Sequence, residues 1–342
     1  MKAENEIICA YPHGGSSQMT LGKKHEEKGR LMQLELDRIS AIQPSMDNIS
    51  LSLKLAFQRL HFLSWQERIL LLENIRDMED FLALGLAEIE SFLYRSMHAR
   101  LLDMGRIWEQ AERDVNILSR LGARFVCIVD REYPPLLREI HRAPFGLFVR
   151  GDTKALIQPS VTIVGTRGPT SRGVLAARLL AKESADIGVV VVSGLARGID
   201  AAAHRGAIQS GAGSTIAVLP CGPERVYPPS NAALAAAILD CGGCLVTEYP
   251  PGVSLDRYRF PERNRILAGF SKLTLVVEAP EKSGALITAE FALGEGRDVV
   301  VAASCLGSSR NAGADALNQD GALAINCATE LVSMIQGECT GI

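Results

Sequence analysis

A run of four valines, Val189 to Val192, stops at Ser193-Gly194. Leu195-Ala196-Arg197-Gly198-Ile199-Asp200 follows, and then an alanine-rich stretch reaching His204. Four β-branched residues in succession, apolar on both faces, predict a strand buried on both sides, as in parallel sheets covered by helices. A parallel strand cannot return through a hairpin, so the chain beyond it must cross back through a helix. This one stretch therefore points to an α/β architecture. The glycine turn leaves backbone N–H groups and a positive helix end facing whatever lies above the strand, an arrangement suited to anions. Taken alone, the loop reads equally as an anion site or as a tight connection that carries an exposed arginine.

The pattern repeats. Short apolar strands are predicted at 161–165, 189–193, 214–219, 244–247, 273–277 and 299–302, with helices at 174–187, 201–209, 232–240, 264–268 and 285–295. Regular alternation makes the connections crossovers, so the expected fold is a Rossmann-like, doubly wound, mostly parallel sheet. Ligands in such sheets bind beyond the carboxyl ends of the strands, where the glycines, arginines and hydroxyls of this chain gather. The first loop, GTRGPTSRG, lacks the G-x-G-x-x-G of dinucleotide folds, and the second strand ends without the acidic residue that would hold a ribose. No phosphate-binding P-loop is present, and Lys282-Ser283-Gly284 has some of its letters in the wrong order. No cofactor is expected.

The 342 residues suffice for more than one domain. Residues 1–45 are polar and weakly periodic and read as a poorly structured extension; 46–120 read as a small all-α domain; 121–336 as the Rossmann-like domain; 337–342 as a tail. No apolar run reaches membrane-spanning length. Eight scattered cysteines without a secretory signal in front do not suggest a disulfide framework. Cys241 and Cys244 have the spacing of a metal knuckle but lack a second pair, so no metal is expected. Asp200 and His204, four residues apart on a helix, could suggest acid–base chemistry. The simpler reading has Asp200 capping loop amides and His204 packing beneath the loop. Glu248 and Glu278, both at strand ends, are expected to hold arginines or loop amides.

Several blocks in order, VTIVGTRGPTSRG, VVVVSGLARGIDAAAH, STIAVLPCGPERVYPPSN, LVTEYPPG, FPERNRILAG and LVVEAPEKSGALITAEFALGEGRDV, resemble the signature blocks of the DNA-processing protein A family (DprA, also called Smf). The resemblance covers roughly residues 125–330. It implies a cytoplasmic bacterial protein that binds single-stranded DNA, protects it and loads the RecA recombinase onto it during transformation, acting as a homodimer without catalysis. The family's helical N-terminal domain, of SAM or helix-hairpin-helix type, would correspond to 46–120; the winged helix of some members is expected to be absent. The implied DNA- and phosphate-binding positions are Gly165, Thr166, Arg167, Ser171 and Gly173 in the first block and Ser193, Gly194, Arg197 and Gly198 in the second. Phe260, Arg263, Asn264 and Arg265 follow in the third, and Ser283, Gly284 and Thr288 in the last, with Asp200 and His204 structural beside them. One departure is clear: where the family reads Val-Pro-Gly after the last core strand, this chain reads Ala302-Ala303-Ser304-Cys305.

The chemistry of these residues agrees with single-stranded DNA. Arginines neutralise phosphates, and an aromatic ring such as Phe260 stacks under bases. A formal net charge of −3 then requires a local basic groove on an otherwise acidic surface. The alternative is a nucleotide-processing Rossmann enzyme of phosphoribohydrolase type, with Glu290 as its acidic residue.

Overall fold

The computed structural model describes residues 49–96, 102–211 and 215–336. The expected extension at 1–45 and tail at 337–342 lie outside the described residues. Among the described residues the sheet has nine strands: β1 (Ala123–Cys127), β2 (Gly146–Gly151), β3 (Ser160–Val164), β4 (Val190–Ser193), β5 (Thr215–Val218), β6 (Cys244–Thr247), β7 (Leu273–Val276), β8 (Asp298–Ala302) and β9 (Leu323–Ile325). Their spatial order is β1-β2-β6-β5-β4-β3-β7-β8-β9. The pairs β1–β2 and β2–β6 are antiparallel, and the others are parallel. The chain winds outward from β3 to β6, then returns to place β7 on the other side of β3. That reversal makes the β3/β7 boundary the topological switch point of a doubly wound Rossmann-like fold.

Strands β3 to β8 are the six predicted from sequence. The antiparallel pair β1 and β2 and the short β9 were not among them. The helix expected at 264–268 begins earlier and spans Arg259–Phe270. Pro261 reads as a break in sequence, but it falls in the first helical turn, where its missing N–H costs nothing.

β3 shows how the layers are held. Val161 and Ile163 point into one core with Ala177, Leu180, Ala203 and Leu331, from helices Ser171–Asp186, Ile199–Ile208 and Ala328–Gln336. Ser160 and Thr162 point the other way, as strand alternation requires. Ser160 Oγ donates to the Phe270 carbonyl at 3.0 Å, and Thr162 Oγ1 to the Leu267 carbonyl at 2.7 Å. These are last-turn carbonyls of helix Arg259–Phe270, which no intrahelical N–H can satisfy. The strand thus fixes the end of the helix on the sheet, and the first turn of the helix reaches the carboxyl ends of the strands.

The helical segment before the sheet belongs to the same compact unit. Helix Leu51–Gln58 packs on Met104–Leu121 and β1. Arg59 makes a bidentate pair with the buried Asp114, both contacts 2.8 Å. Gln58 Nε2 donates to the Glu248 carbonyl at 2.8 Å, tying this segment to the end of β6. Helix Trp65–Leu72 opens with a capping box between Ser64 and Glu67. No helix among the described residues is long and apolar enough to cross a membrane.

Candidate functional site

The loops that leave β3, β4, β5 and β7 meet at the switch point. A cleft of about 370 Å³ there is bordered by Thr166, Arg167, Phe260, Lys282, Ser283 and Thr288. A second hollow of about 460 Å³ adjoins it, bordered by Gly194, Arg197, Tyr227 and Arg263; Arg167 and Phe260 border both. The guanidinium carbon of Arg167 lies 5.4 Å from the Phe260 ring centroid. The Phe260 ring meets Tyr227 edge-on, with centroids 5.3 Å apart and the planes at 70°. Arg167 and Phe260 therefore form a wall shared by the two hollows, with Tyr227 against the Phe260 ring on the side of the second.

The loop backbones are closely interlocked. Gly198 has φ 82, and a side chain there would run into Thr166 O and the Arg167 backbone, so only glycine fits. Ile199 N–H donates to Thr166 O at 3.1 Å, joining the first and second loops. Leu195 and Lys282 each hold φ 57, the left-handed region that non-glycine residues seldom adopt.

Several amides of these loops have partners inside the protein. Asp200 Oδ2 accepts from Gly194 N–H at 3.2 Å and Ala196 N–H at 3.3 Å. Burial holds its carboxyl above the usual carboxylate range, against the pull of Arg263 and these two amides. Glu278, fully buried, accepts from Thr170 N–H at 2.8 Å and from Ser308 Oγ at 2.9 Å. Gly173 N–H donates to Thr170 Oγ1 at 3.1 Å, and a side chain at Gly173 would strike the Glu278 carboxylate. Two internal carboxylates thus take the Thr170, Gly194 and Ala196 N–H groups from among the donors expected above β3 and β4, and the loops add guanidinium, ammonium, hydroxyl and aromatic groups.

The four arginines grouped by sequence separate. Arg167 and Arg197 are exposed at the cleft, Arg197 with its Nε 3.3 Å from Ser230 Oγ. Arg263 is buried beneath them, 5% exposed, donating to the carbonyls of Gly194 and Val218 at the ends of β4 and β5. Arg265 is buried facing away from both hollows, where it pairs with Glu248 and donates to the Arg142 carbonyl. Successive helical residues are turned by about 100°, so neighbours in sequence serve different places. Asn264 Nδ2 donates to Gly284 O at 3.1 Å and holds the last loop against the helix. Ser283 caps helix Gly284–Gly294, and Thr288 is buried one turn on. Gly165 packs against Ile199, and Gly284 is exposed. Ser171 is exposed on the first helix, whereas Ser193 is fully buried and donates to Ile163 O at 2.6 Å. His204 is also fully buried; its Nδ1 lies 2.8 Å from Thr215 Oγ1, and burial pushes its pKa down to about 3.

Three further residues stand at or beside the two hollows. Tyr227 stands in the quoted PERVYPPSN block as an aromatic at a strand end, a signal that was open to reading. Lys282, exposed, stands in the loop after β7. Arg310 donates to Gly168 O at 2.7 Å from a loop far along the chain, and no local pattern marks it. It follows the divergent Ala302–Cys305 stretch, of which Ala303–Cys305 forms a single 3-10 turn.

Fold and loops together define a Rossmann-like protein with a basic, aromatic-lined cleft at its topological switch point. The family model described as DNA recombination-mediator protein A matches residues 124–336, and the chain belongs to that family. It is similar to Protein Smf of Escherichia coli (strain K12), 41% identical over 204 residues, covering 60% of this chain and 54% of that protein. It is also similar to DNA processing protein DprA of Bacillus subtilis (strain 168), 38% identical over 211 residues, covering 61% and 70%. The chain spans about half the length of the Escherichia coli relative. Among solved structures, DNA processing protein A of Streptococcus pneumoniae aligns with TM-score 0.67 at 31% identity, over 84% of this chain and 99% of that one. DNA processing protein A of Helicobacter pylori, in a structure concerned with its single-stranded DNA binding mode, aligns with TM-score 0.56 at 26% identity, over 64% and 98%.

Proposed function

We propose that this chain is a single-stranded DNA-binding recombination mediator that protects the strand and loads RecA onto it, as a cytoplasmic homodimer and without catalysis. The observation that carries the reading is the cluster of Arg167, Phe260 and Tyr227 where the two hollows meet. Bases stack on exposed aromatic and guanidinium planes whatever their sequence, and a duplex hides the faces that would stack. Arg167, Arg197, Lys282 and Arg310 supply the phosphate contacts, with Thr166 and Ser283 as hydroxyl donors. Gly198 and Asn264 hold the loops in shape. The carboxylates at the strand ends are engaged by amides, hydroxyls or arginine, which favours binding over hydrolysis. RecA and a second copy of the chain enter the reading through the family. The DNA-binding part is the segment 121–336, and the described helices before it cover one margin of its sheet.

The test is a salt titration of the full chain with single- and double-stranded oligonucleotides. Four neutralised phosphates, at about −0.7 each, give log K against log salt a slope of about −3 for the single strand. Duplex should bind more weakly. Equal affinity for both forms, or a flat salt dependence, would defeat the proposal.

A further inference from the structure

A separate cavity of about 840 Å³ lies between the helical segment and the antiparallel margin of the sheet. It shares a wall with the strand-end cleft. Tyr258, Arg259, Glu262 and Arg265 face the cavity, while Phe260, Pro261, Arg263 and Asn264 face the cleft from the same turns of helix. Four arginines border it, Arg68, Arg142, Arg259 and Arg265, against the carboxylates Glu248 and Glu262. Both carboxylates are engaged, Glu248 by Arg265 and Glu262 by Arg142 at 3.0 Å. Arg68 is buried and makes no ion pair among the described residues; its Nε donates to Leu60 O and its guanidinium lies 5.4 Å from the Phe145 ring centroid. Arg259 is paired as well, with Asp256 at 3.4 Å, so Arg68 is the bordering arginine left without a carboxylate among the described residues.

Arg259 is stacked 4.8 Å from the Tyr249 centroid, so flat surface and positive charge occur together. A nucleotide matches this lining, with an anion for Arg68 and a planar ring for the exposed Tyr258.

We infer that this cavity is a second nucleotide subsite, taking a part of the same DNA strand that crosses the cleft, over the ridge from Phe260 to Tyr258. The inference rests on the single-stranded DNA reading. Tyr258 is 62% exposed and forms the crest, so it can be changed without disturbing the core.

The experiment compares fluorescein-labelled oligothymidylates of about five and about twenty nucleotides, lengths that bracket typical single-strand sites. Wild type, Tyr258→Ser and Arg68→Gln are used as full chains, each checked by thermal melting; Tyr258→Ser carries the test if Arg68→Gln does not fold. For the long strand the variants should bind on the order of tenfold more weakly, and for the short strand as wild type does, since stacking and charge-assisted contacts are worth about that much. Equal loss at both lengths, or none at either, would overturn the subsite while leaving the cleft as the DNA site. Wild type that binds neither oligonucleotide would instead defeat the DNA reading itself. Free thymidine monophosphate bound by wild type and lost in Tyr258→Ser, without any length effect, would overturn the strand path in favour of a mononucleotide pocket.

Discussion

The Arg167 guanidinium lies over the Phe260 ring at the switch point, its carbon 5.4 Å from the ring centroid. One residue comes from the loop after β3, the other from the first turn of a helix anchored under β3 by Ser160 and Thr162. Because Arg167 is exposed and its cation sits on an aromatic face, removing it should touch binding far more than folding. Arg167→Ala should weaken single-strand binding by about 1–3 kcal/mol, the worth of a charge-assisted contact. Its melting temperature should match wild type. Fluorescence anisotropy at fixed salt reads the first, calorimetry the second, and an unaltered affinity would move the binding surface elsewhere.

Phe260→Leu keeps an apolar group and removes the stacking plane, so its cost should be about 1–3 kcal/mol in single-strand affinity. Combined with Arg167→Ala it should cost less than the sum, because each group holds the other in position for the strand and that positioning is lost only once. Strict additivity in that double-mutant cycle would mean the two groups bind DNA independently.

Arg263 is a stability prediction. It ties the ends of β4 and β5 through two carbonyls and stands near the buried Asp200. Arg263→Met leaves those carbonyls unpaired and the carboxylate uncompensated, a loss of about 3–5 kcal/mol. Urea denaturation measures it. A loss under about 1 kcal/mol would mean that the loops relax around the vacancy.

His204 predicts an acid limb in the stability curve. Its folded pKa lies near 3 against an ordinary 6.5, so the unfolded chain takes up the proton first. The folded state is unaffected above the unfolded value and loses stability as pH falls below it, by about 1.4 kcal/mol per pH unit at most until the folded value is reached. In His204→Leu this contribution vanishes, while Thr215 Oγ1 still has Val191 O as its acceptor. Urea midpoints taken between about pH 7 and pH 4 should therefore fall less steeply in the variant than in wild type. Parallel curves would show that His204 is protonated in the folded protein.

Much was written locally. Buried parallel strands are continuous apolar runs, so β3 to β8 could be read one by one, and the glycine loops that end β3, β4 and β7 announce the switch point. Asp200 meets amides four and six residues before it, a relation that short-range geometry carries. What escaped sequence reading depends on distant parts of the chain. β1 and β2 are defined by antiparallel pairing with each other and with β6, and β9 by its register on β8. Glu278 at its strand end was expected to hold loop amides, but only the fold supplies Thr170 as the partner, and Arg310 beside Gly168 has no local signal. Arg263 and Arg265 differ most instructively: two residues apart, they are turned by the helix toward separate neighbours, one under the cleft and one against Glu248. Sequence by itself determined the strands, the crossovers and the end of the sheet at which loops gather, because these follow from burial and chain connectivity. Only the tertiary structure decided which cations reach solvent and which amides are already satisfied, because long-range packing settles whether a charged or polar group faces water, a ligand or another part of the same chain.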